Sequence, residues 1–467
     1  MARLRVLEAK HDLFQYQVDG YSAWRLLRFA AASKMQNLPF VVKPAGTIFR
    51  ELFERLVLVL PELIKILFPR RAEFVIKTCS SALREQTNGF YKDVYFDDLI
   101  GELGSCYKIE TINNPAYSGR RKSALIPIAL TTSTIEVISY LLAWVQSMRI
   151  SKEAAQISQI LQANAPLPAF TPRYIERIFR KFRWHKRIFV FLLRRIRPKH
   201  VLVANTGEYA IWAAAQELGI TTIEFQHGIF TQNHPDALPA LAATYRKNMI
   251  VPQKILLYGE YWKADLEKNQ FYLQELVPVG NPHIDRYRKI RAGYLAGRKP
   301  DCPCLILLTT QGLDRERLIG FVSDFLKAAQ GKLDYSLYIK LHPIYDREKS
   351  SYERAFGSDP KVRILLGSES PTTLELLAKA DFHVSIASAT HYEALGLGVP
   401  TIILPFAGHE IVLPLTDAGH ARLAHTSRDL LDILRGQRGI SVPPEVSNFY
   451  FTPNSMDITK RELGIPL

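Results

Sequence analysis

The residues from Tyr335 to Pro405 restrict the possible folds more than any other stretch of the chain. An apolar run at Tyr335–Lys340 leads into Leu341-His342-Pro343. A second run covers Lys361–Gly367, a helical pattern covers Thr372–Ala380, and a third run covers Asp381–Ser388. A helix then opens near His391, and Pro400–Pro405 closes the unit. Short apolar runs alternating with helices of about ten residues require a parallel sheet with right-handed crossovers. Ligands of such sheets bind at the C-terminal ends of the strands. His342 and the Ser388-Ala389-Thr390 turn fall at two of those ends.

Residue types indicate the chemistry of that edge. Ser388 and Thr390 stand before a helix, where hydroxyl side chains cap and backbone N–H groups point outward. Free N–H groups and hydroxyls at a helix start suit an anion, phosphate above all. His342 ends a strand that Pro343 cannot continue, and its imidazole can donate to a phosphate oxygen. Lys340 stands two residues earlier, where it is expected to help neutralise that phosphate, Gln311 follows another strand end, and Glu393 lies about one turn into the helix, placed to accept from ribose hydroxyls. Each feature alone is explained equally well by ordinary capping. Together on one sheet edge they favour a nucleotide.

A chain of 467 residues holds two or three domains. The formal net charge of +15 favours a polyanionic partner. Nucleic acid is disfavoured, because no helix-turn-helix, zinc or RNA-binding signature accompanies the charge. The basic segment Arg173–Lys199 interleaves Phe179, Phe182, Phe189 and Leu192 with its cations. It is either a solvated helix with a core stripe or a contact with an anionic membrane face. Leu52–Phe68 reads as an amphipathic helix, and Ala124–Val145 as a buried or interfacial helix rather than a span. Four cysteines without a disulfide pattern suit a reducing cytoplasm, and Cys302-Pro303-Cys304 lacks a second ligand pair for a metal. The N-terminus shows no signal-peptide pattern. The expectation is a cytoplasmic protein, peripheral on the inner membrane, with neither metal nor cofactor.

Read in order, residues 1–72 are helical and partly basic. Glu73–Cys79 is the first strand, with Ser80-Ser81 at its site-like end, and Tyr107–Asn113 is the next. Residues 120–165 form a helical insertion. Strands follow at His200–Ala204, Thr221–Gln226, Ile255–Tyr258 and Leu276–Val279, separated by helices at Glu208–Leu218 and Tyr261–Lys268. Gln226-His227-Gly228 ends one strand. Gly280-Asn281-Pro282-His283 ends another, ahead of a helix from Arg286. The expected division is 1–297 for an acceptor domain, 298–445 for a nucleotide-sugar domain and 446–467 for a tail returning to the first domain. Facing each other across a cleft, two such domains would bring His227 opposite His342 and Ser388, an arrangement suited to group transfer with histidine as the base.

The Lys340–Pro343 motif and the Ser388–Thr390 turn resemble those of bacterial GT-B glycosyltransferases that use CMP-activated acidic sugars, the capsule polysialyltransferases and Kdo transferases. Gln226-His227-Gly228, the Gly280–Asp285 turn and the His342-Pro343 pair are also similar to motifs of the CDP-glycerol glycerophosphotransferases. The resemblance covers roughly Pro198–Leu434. It implies an α/β GT-B fold of two Rossmann-like domains, here with extra N-terminal helices. By that likeness His342, Ser388 and Thr390 bind the nucleotide phosphates, Glu393 the ribose, and His227 is the base. The acidic motif of the sialyltransferases has no evident counterpart. Asn205-Thr206-Gly207-Glu208 stands nearest, so Glu208 is a rival base. The donor would be a nucleotide sugar and the acceptor a glycan or lipid-linked glycan. Other readings are polyol-phosphate transfer, nucleotide-sugar 2-epimerisation and a catalytically silent scaffold.

Overall fold

The computed structural model describes residues 1–35, 62–79, 83–85, 89–111, 124–145, 149–165, 167–204, 207–272, 275–299, 302–343 and 345–466. Residues 52–61 of the expected amphipathic helix, Ser80-Ser81 and Asn205-Thr206 lie outside them. Two compact units divide the chain. One comprises residues 1–257, 262–278 and 461–467, the other residues 258–261 and 279–460.

The first unit opens with helices α1 (Ala2–His11) and α2 (Ala23–Met35). The strands of its main sheet are β1 (Phe74–Cys79), β2 (Cys106–Thr111), β3 (Leu130–Thr131), β4 (His200–Val203), β5 (Thr221–Phe225), β6 (Lys254–Leu257) and β7 (Leu276–Pro278). Among the described residues they form a parallel sheet in the order β7-β6-β5-β4-β1-β2-β3. All six residues of β1 are buried, as expected of a strand covered by helices on both faces. Helices α3 (Thr132–Val145), α4 (Lys152–Asn164), α5 (Pro172–Ile196) and α6 (Tyr209–Glu217) supply cover. The basic segment is α5. Thr171 caps it by accepting from the Tyr174 N–H, Pro172 opens it, and Arg197 ends it in the left-handed region.

The single helix expected over Ala124–Val145 is corrected to the edge strand β3 followed by α3. Glu62 sets the break. Its carboxylate accepts from the Thr131 N–H at 3.1 Å, the Thr131 hydroxyl at 2.7 Å and the Thr134 hydroxyl. A carboxylate at that point satisfies N–H and hydroxyl donors at the helix start and complements its dipole.

The second unit carries β8 (Cys304–Thr309), β9 (Tyr335–Lys340), β10 (Val362–Leu365), β11 (Phe382–Ser385), β12 (Thr401–Ile403) and β13 (Ala421–Leu423). Their parallel order, among the described residues, is β10-β9-β8-β11-β12-β13. That is the doubly wound Rossmann order, and the first unit shows the same order extended by one strand. In each sheet the direction of winding reverses beside the first strand: between β1 and β4, and between β8 and β11. Ile306, Leu308, Leu337, Ile339, Val384 and Ile402 form the second core with Leu318, Val322 and Phe325 of one covering helix.

Helix α7 (Pro282–Ala296) starts earlier than the Arg286 expected from sequence, because Asn281 accepts from the His283 N–H at 2.9 Å and Pro282 takes the first helical position. It is part of the second unit. Its Arg291 donates to the Ala380 carbonyl at 2.8 Å, and Arg288 donates to those of Gly396, Ser447 and Phe451 at 2.7–3.0 Å. The unit also keeps the chain through Lys460. The Thr452 N–H donates to the Tyr258 carbonyl at 2.8 Å, and Ser455 donates from its N–H and hydroxyl to Asp285. Gly280, at φ +88°, lies so close to the Thr452 carbonyl that a Cβ would stand 2.0 Å from its oxygen. The Gly280-Asn281-Pro282 turn thus has a structural role in seating the C-terminal segment.

Candidate functional site

Four loops meet at the C-terminal edge of the second sheet. Beside the reversal point, Gln311 follows β8 and accepts at Oε1 from the Ala387 N–H after β11, at 3.4 Å. Ser385 donates to the Thr309 carbonyl across the same pair of strands at 2.8 Å. Gly312, at φ +71°, packs its α-carbon against the Tyr345 carbonyl, where a Cβ would stand 2.5 Å from the oxygen. The Ala407 N–H after β12 donates to Asp314 at 3.0 Å. The loops after β8, β9, β11 and β12 therefore brace one another.

His342 stands at the end of β9, in the turn that Asp346 anchors. Asp346 is fully buried and accepts from the hydroxyls of Thr310 at 2.6 Å and Tyr352 at 2.8 Å, and from Arg315 at 3.0 Å. The Tyr345 N–H donates to His342 Nδ1 at 3.1 Å, and the two rings stack at 4.6 Å. An accepting Nδ1 puts the proton of the neutral ring on Nε2. Burial pushes the imidazole below its ordinary range, opposed by the nearby Asp346. His342 is thus a neutral, half-buried N–H donor held in a fixed orientation.

The Ser388–Thr390 turn follows β11. The Ser388 hydroxyl donates to Thr390 Oγ1 at 2.9 Å and accepts from the Thr390 N–H at 3.2 Å. Helix α8 (Thr390–Gly396) has only seven residues, and Ala389 occupies its cap position in helical conformation. This corrects the expected hydroxyl-capped helix terminus: so short a helix adds little dipole, and anion affinity here rests on the hydroxyls and turn N–H groups. Glu393 is half-buried on that helix.

Lys340 departs most from expectation. Its side chain is 2 % exposed, and its ammonium donates to the carbonyls of Leu366 at 2.8 Å, Pro371 at 3.0 Å and Glu369. An ammonium has three donors, and all three are used. Burial lowers its pKa to about 8 against the pull of Glu369 and Glu375. Lys340 is a cross-link to the loop after β10, with its donors engaged by backbone carbonyls.

Below the same edge runs a buried polar chain that sequence reasoning missed. Thr309 Oγ1 lies 2.9 Å from His383 Nε2, His383 Nδ1 lies 2.9 Å from Thr401 Oγ1, and Thr401 Oγ1 lies 2.6 Å from His391 Nδ1. Desolvation drives both imidazoles to neutrality, His391 to about 3. The chain fastens α8, and with it the Ser388–Thr390 turn, to β11 and β12. An isolated histidine in an apolar strand, His383, was the available signal.

In the first unit, Glu208 and His227 follow β4 and β5 at the C-terminal edge. Glu208 is ion-paired with the buried Lys77 of β1, and Thr111 of β2 donates to it at 3.3 Å. His227 is held differently. Tyr95 donates to its backbone carbonyl at 2.9 Å, and burial and His234 lower the imidazole to about 4, with Asp236 opposing. His227 is therefore unprotonated at neutral pH, the state a base requires. The segment after it is fixed by the N-terminal helices. Arg25 of α2 meets Asp236 at 3.1 Å, Tyr209 donates to Asp236 at 2.5 Å, and Arg28 donates to the Ala237 carbonyl while pairing with Glu8 of α1 at 2.6 Å. Glu224 on β5 borders this cluster. Burial and Asp236 raise its carboxyl to about 8, against the pull of Arg25. It is a proton-carrying group at neutral pH. A carboxylate inside an apolar strand was its sequence signal.

No family model and no curated protein matches the chain. Solved structures similar to it include the UDP-GlcNAc 2-epimerase of Neisseria meningitidis bound to UDP-GlcNAc, at 17 % identity and a TM-score of 0.50, covering 84 % of this chain and 99 % of that one. The enzyme of the same name from Methanocaldococcus jannaschii is similar at 14 % identity and a TM-score of 0.51, with the same coverage. MurG of Acinetobacter baumannii follows at 12 % identity, a TM-score of 0.46 and again 84 % and 99 % coverage. The likeness is one of fold, and this chain has the two Rossmann-like parallel sheets of the GT-B type.

Proposed function

We propose that the chain is a glycosyltransferase that moves a sugar from a nucleotide donor to a glycan or lipid-linked glycan presented at the cytoplasmic face of the inner membrane. The observation that carries this reading is the cradle at the reversal point of the second sheet. Gln311, His342, Ser388 and Thr390 lie on interlocked loops there, with an N–H donor and two hydroxyls suited to a diphosphate or monophosphate. Glu393 would take the ribose. The leaving nucleotide would accumulate negative charge, which His342 Nε2–H and the two hydroxyls would stabilise. His227, unprotonated at neutral pH, would take the proton of the acceptor hydroxyl as that oxygen attacks the anomeric carbon. Glu208 remains the rival base, although its ion pair with Lys77 weakens that role. The donor we favour is a CMP-activated acidic sugar, and the chemistry we assign needs no metal or resident cofactor.

The test is calorimetry of the full chain with CMP, CDP and UDP, followed by transfer assays with the bound nucleotide's sugars. His342→Ala should lower turnover by about 10²–10³-fold, as loss of one preorganised anion donor does. Near-native turnover in that variant, or no binding of any of the three nucleotides, would remove the reading; the second result would favour a scaffold. UDP-sugar turnover without any acceptor would replace transfer with 2-epimerisation. Release of a polyol phosphate from a CDP-linked donor would replace sugar transfer with the glycerophosphotransferase reaction.

A further inference from the structure

At the N-terminal edge of the first sheet, opposite the strand ends that carry Glu208 and His227, the chain exposes an apolar knob. Residues 62–67 are helical. Ile66 is buried at 4 % exposure, while Ile64 is 64 %, Leu67 42 % and Phe68 80 % exposed. The knob is rigidly placed. Glu62 holds the start of α3 through Thr131 and Thr134, Tyr107 donates to the Lys65 carbonyl at 3.4 Å, and the Phe68 N–H donates to the Ile64 carbonyl at 2.8 Å.

Cations follow it and cluster at the adjoining end of α5. Arg70 and Arg71 are exposed directly after the knob. The Ala72 N–H donates to the Ile196 carbonyl at 3.2 Å, and the Lys199 N–H donates to the Glu73 carbonyl at 2.9 Å. Those bonds set Arg70 and Arg71 beside the last turn of α5, whose Arg194 and Arg195 are exposed. Lys199 is 73 % exposed and pairs with Glu73 at 2.6 Å. Arg70 also donates to the carbonyl of Cys106, the first residue of β2, at 2.6 Å. One end of the sheet thus combines three solvated large apolar side chains with a rim of arginines.

We propose that this end docks on a lipid bilayer surface bearing anionic headgroups, with Ile64, Leu67 and Phe68 inserted among the acyl chains and Arg70, Arg71, Arg194 and Arg195 on the phosphates. Charge complementarity selects this occupant. A water-facing apolar knob alone fits any hydrophobic partner, but an apolar wedge rimmed by cations matches the interfacial layer, where both signals are needed for stable attachment. The placement leaves the C-terminal edge of the same sheet clear of the bilayer. It deepens the membrane part of the proposed function by naming the surface, and its test reads no catalysis or nucleotide.

The experiment is flotation of the full chain with vesicles of phosphatidylcholine alone and of phosphatidylcholine with phosphatidylglycerol. Binding is expected only with phosphatidylglycerol and should weaken with added salt, as the screening length falls from about 10 Å at 0.1 M to about 3 Å at 1 M. Each cation near an anionic surface contributes about 1 kcal/mol, or about fivefold, so joint Arg70→Glu and Arg71→Glu replacement should lower partition by at least about 25-fold. Phe68→Ser should lower it by at least about tenfold. Arg428→Glu, an exposed cation in the second unit, should change it little. Equal loss in Arg428→Glu would show that the net charge acts without a docking face. Equal partition onto neutral vesicles would remove the electrostatic half. A dimer abolished by Phe68→Ser, with no vesicle binding, would assign the knob to a second copy. Each of these three results overturns the proposal, whereas failure of nucleotide binding leaves it standing.

Discussion

Replacing Lys340 with methionine separates the sequence reading of this residue from the structural one. The substitution keeps the unbranched stem and removes the three donors that hold the carbonyls of Leu366, Glu369 and Pro371. A hydrogen bond from a charged group is worth about 1.5–3 kcal/mol net, so three would nominally give about 4.5–9 kcal/mol. Two observations reduce that figure. Leu366, Glu369 and Pro371 are only half-buried, so water can replace part of what is lost. The ammonium is also desolvated enough to lower its pKa to about 8, and methionine relieves that penalty. The expected loss is therefore about 2–4 kcal/mol, a sizeable part of the 5–15 kcal/mol typical of a folded domain. With a urea slope of about 2 kcal/mol/M, the middle of the usual range, the second unit's midpoint should fall by roughly 1–2 M. Circular dichroism and amide exchange at residues 366–371 are the suitable probes. Trp24, Trp144, Trp184, Trp212 and Trp262, all five tryptophans of the chain, lie in the first unit, so indole fluorescence would miss the transition. Unchanged stability with lost nucleotide binding would refute this reasoning and return Lys340 to the phosphate.

His227 and Gly312 supply the remaining tests. With its pKa lowered from 6.5 to about 4, His227 stays unprotonated down to mildly acidic pH. The acid limb of kcat/KM should therefore fall near pH 4, and an acid limb near 6.5 would exclude His227 as the base. Between about pH 4 and 6.5 the unfolded imidazole binds a proton that the folded one does not. Its contribution to stability accordingly rises with pH across that window and is lost as pH falls through it. Gly312→Ala forces a Cβ to 2.5 Å from the Tyr345 carbonyl at φ +71°. It should destabilise the His342 turn by about 1–3 kcal/mol and weaken nucleotide binding measured by calorimetry; native affinity would show that the two loops do not brace each other.

The large-scale fold was legible in the sequence because parallel strands buried on both faces are apolar runs whatever their partners. Tyr335–Lys340, Phe382–Ser385 and Thr401–Ile403 form within the segments the alternation marks, and their C-terminal ends carry His342 and the Ser388–Thr390 turn. Local rules also misplaced some features. The apolar character of Ala124–Val145 hid β3, because the break is made by Glu62, a residue distant in sequence. The start of α7 at Pro282 was missed although its cap, Asn281, is a local signal.

What residues do at the site depended on neighbours that no spacing reveals. Lys340 looks like a phosphate ligand beside His342, yet three carbonyls from the following loop capture it. The neutral state of His227, the raised pKa of Glu224 and the Thr309–His383–Thr401–His391 chain all arise from burial among residues far apart in the chain. The order of most strands and helices, and hence which residues reach a sheet edge, could be read from hydrophobic periodicity, because that periodicity is a local property. What those residues bond to, and which of them are neutralised, was visible only in the folded chain, because hydrogen-bond partners and desolvation depend on three-dimensional neighbours.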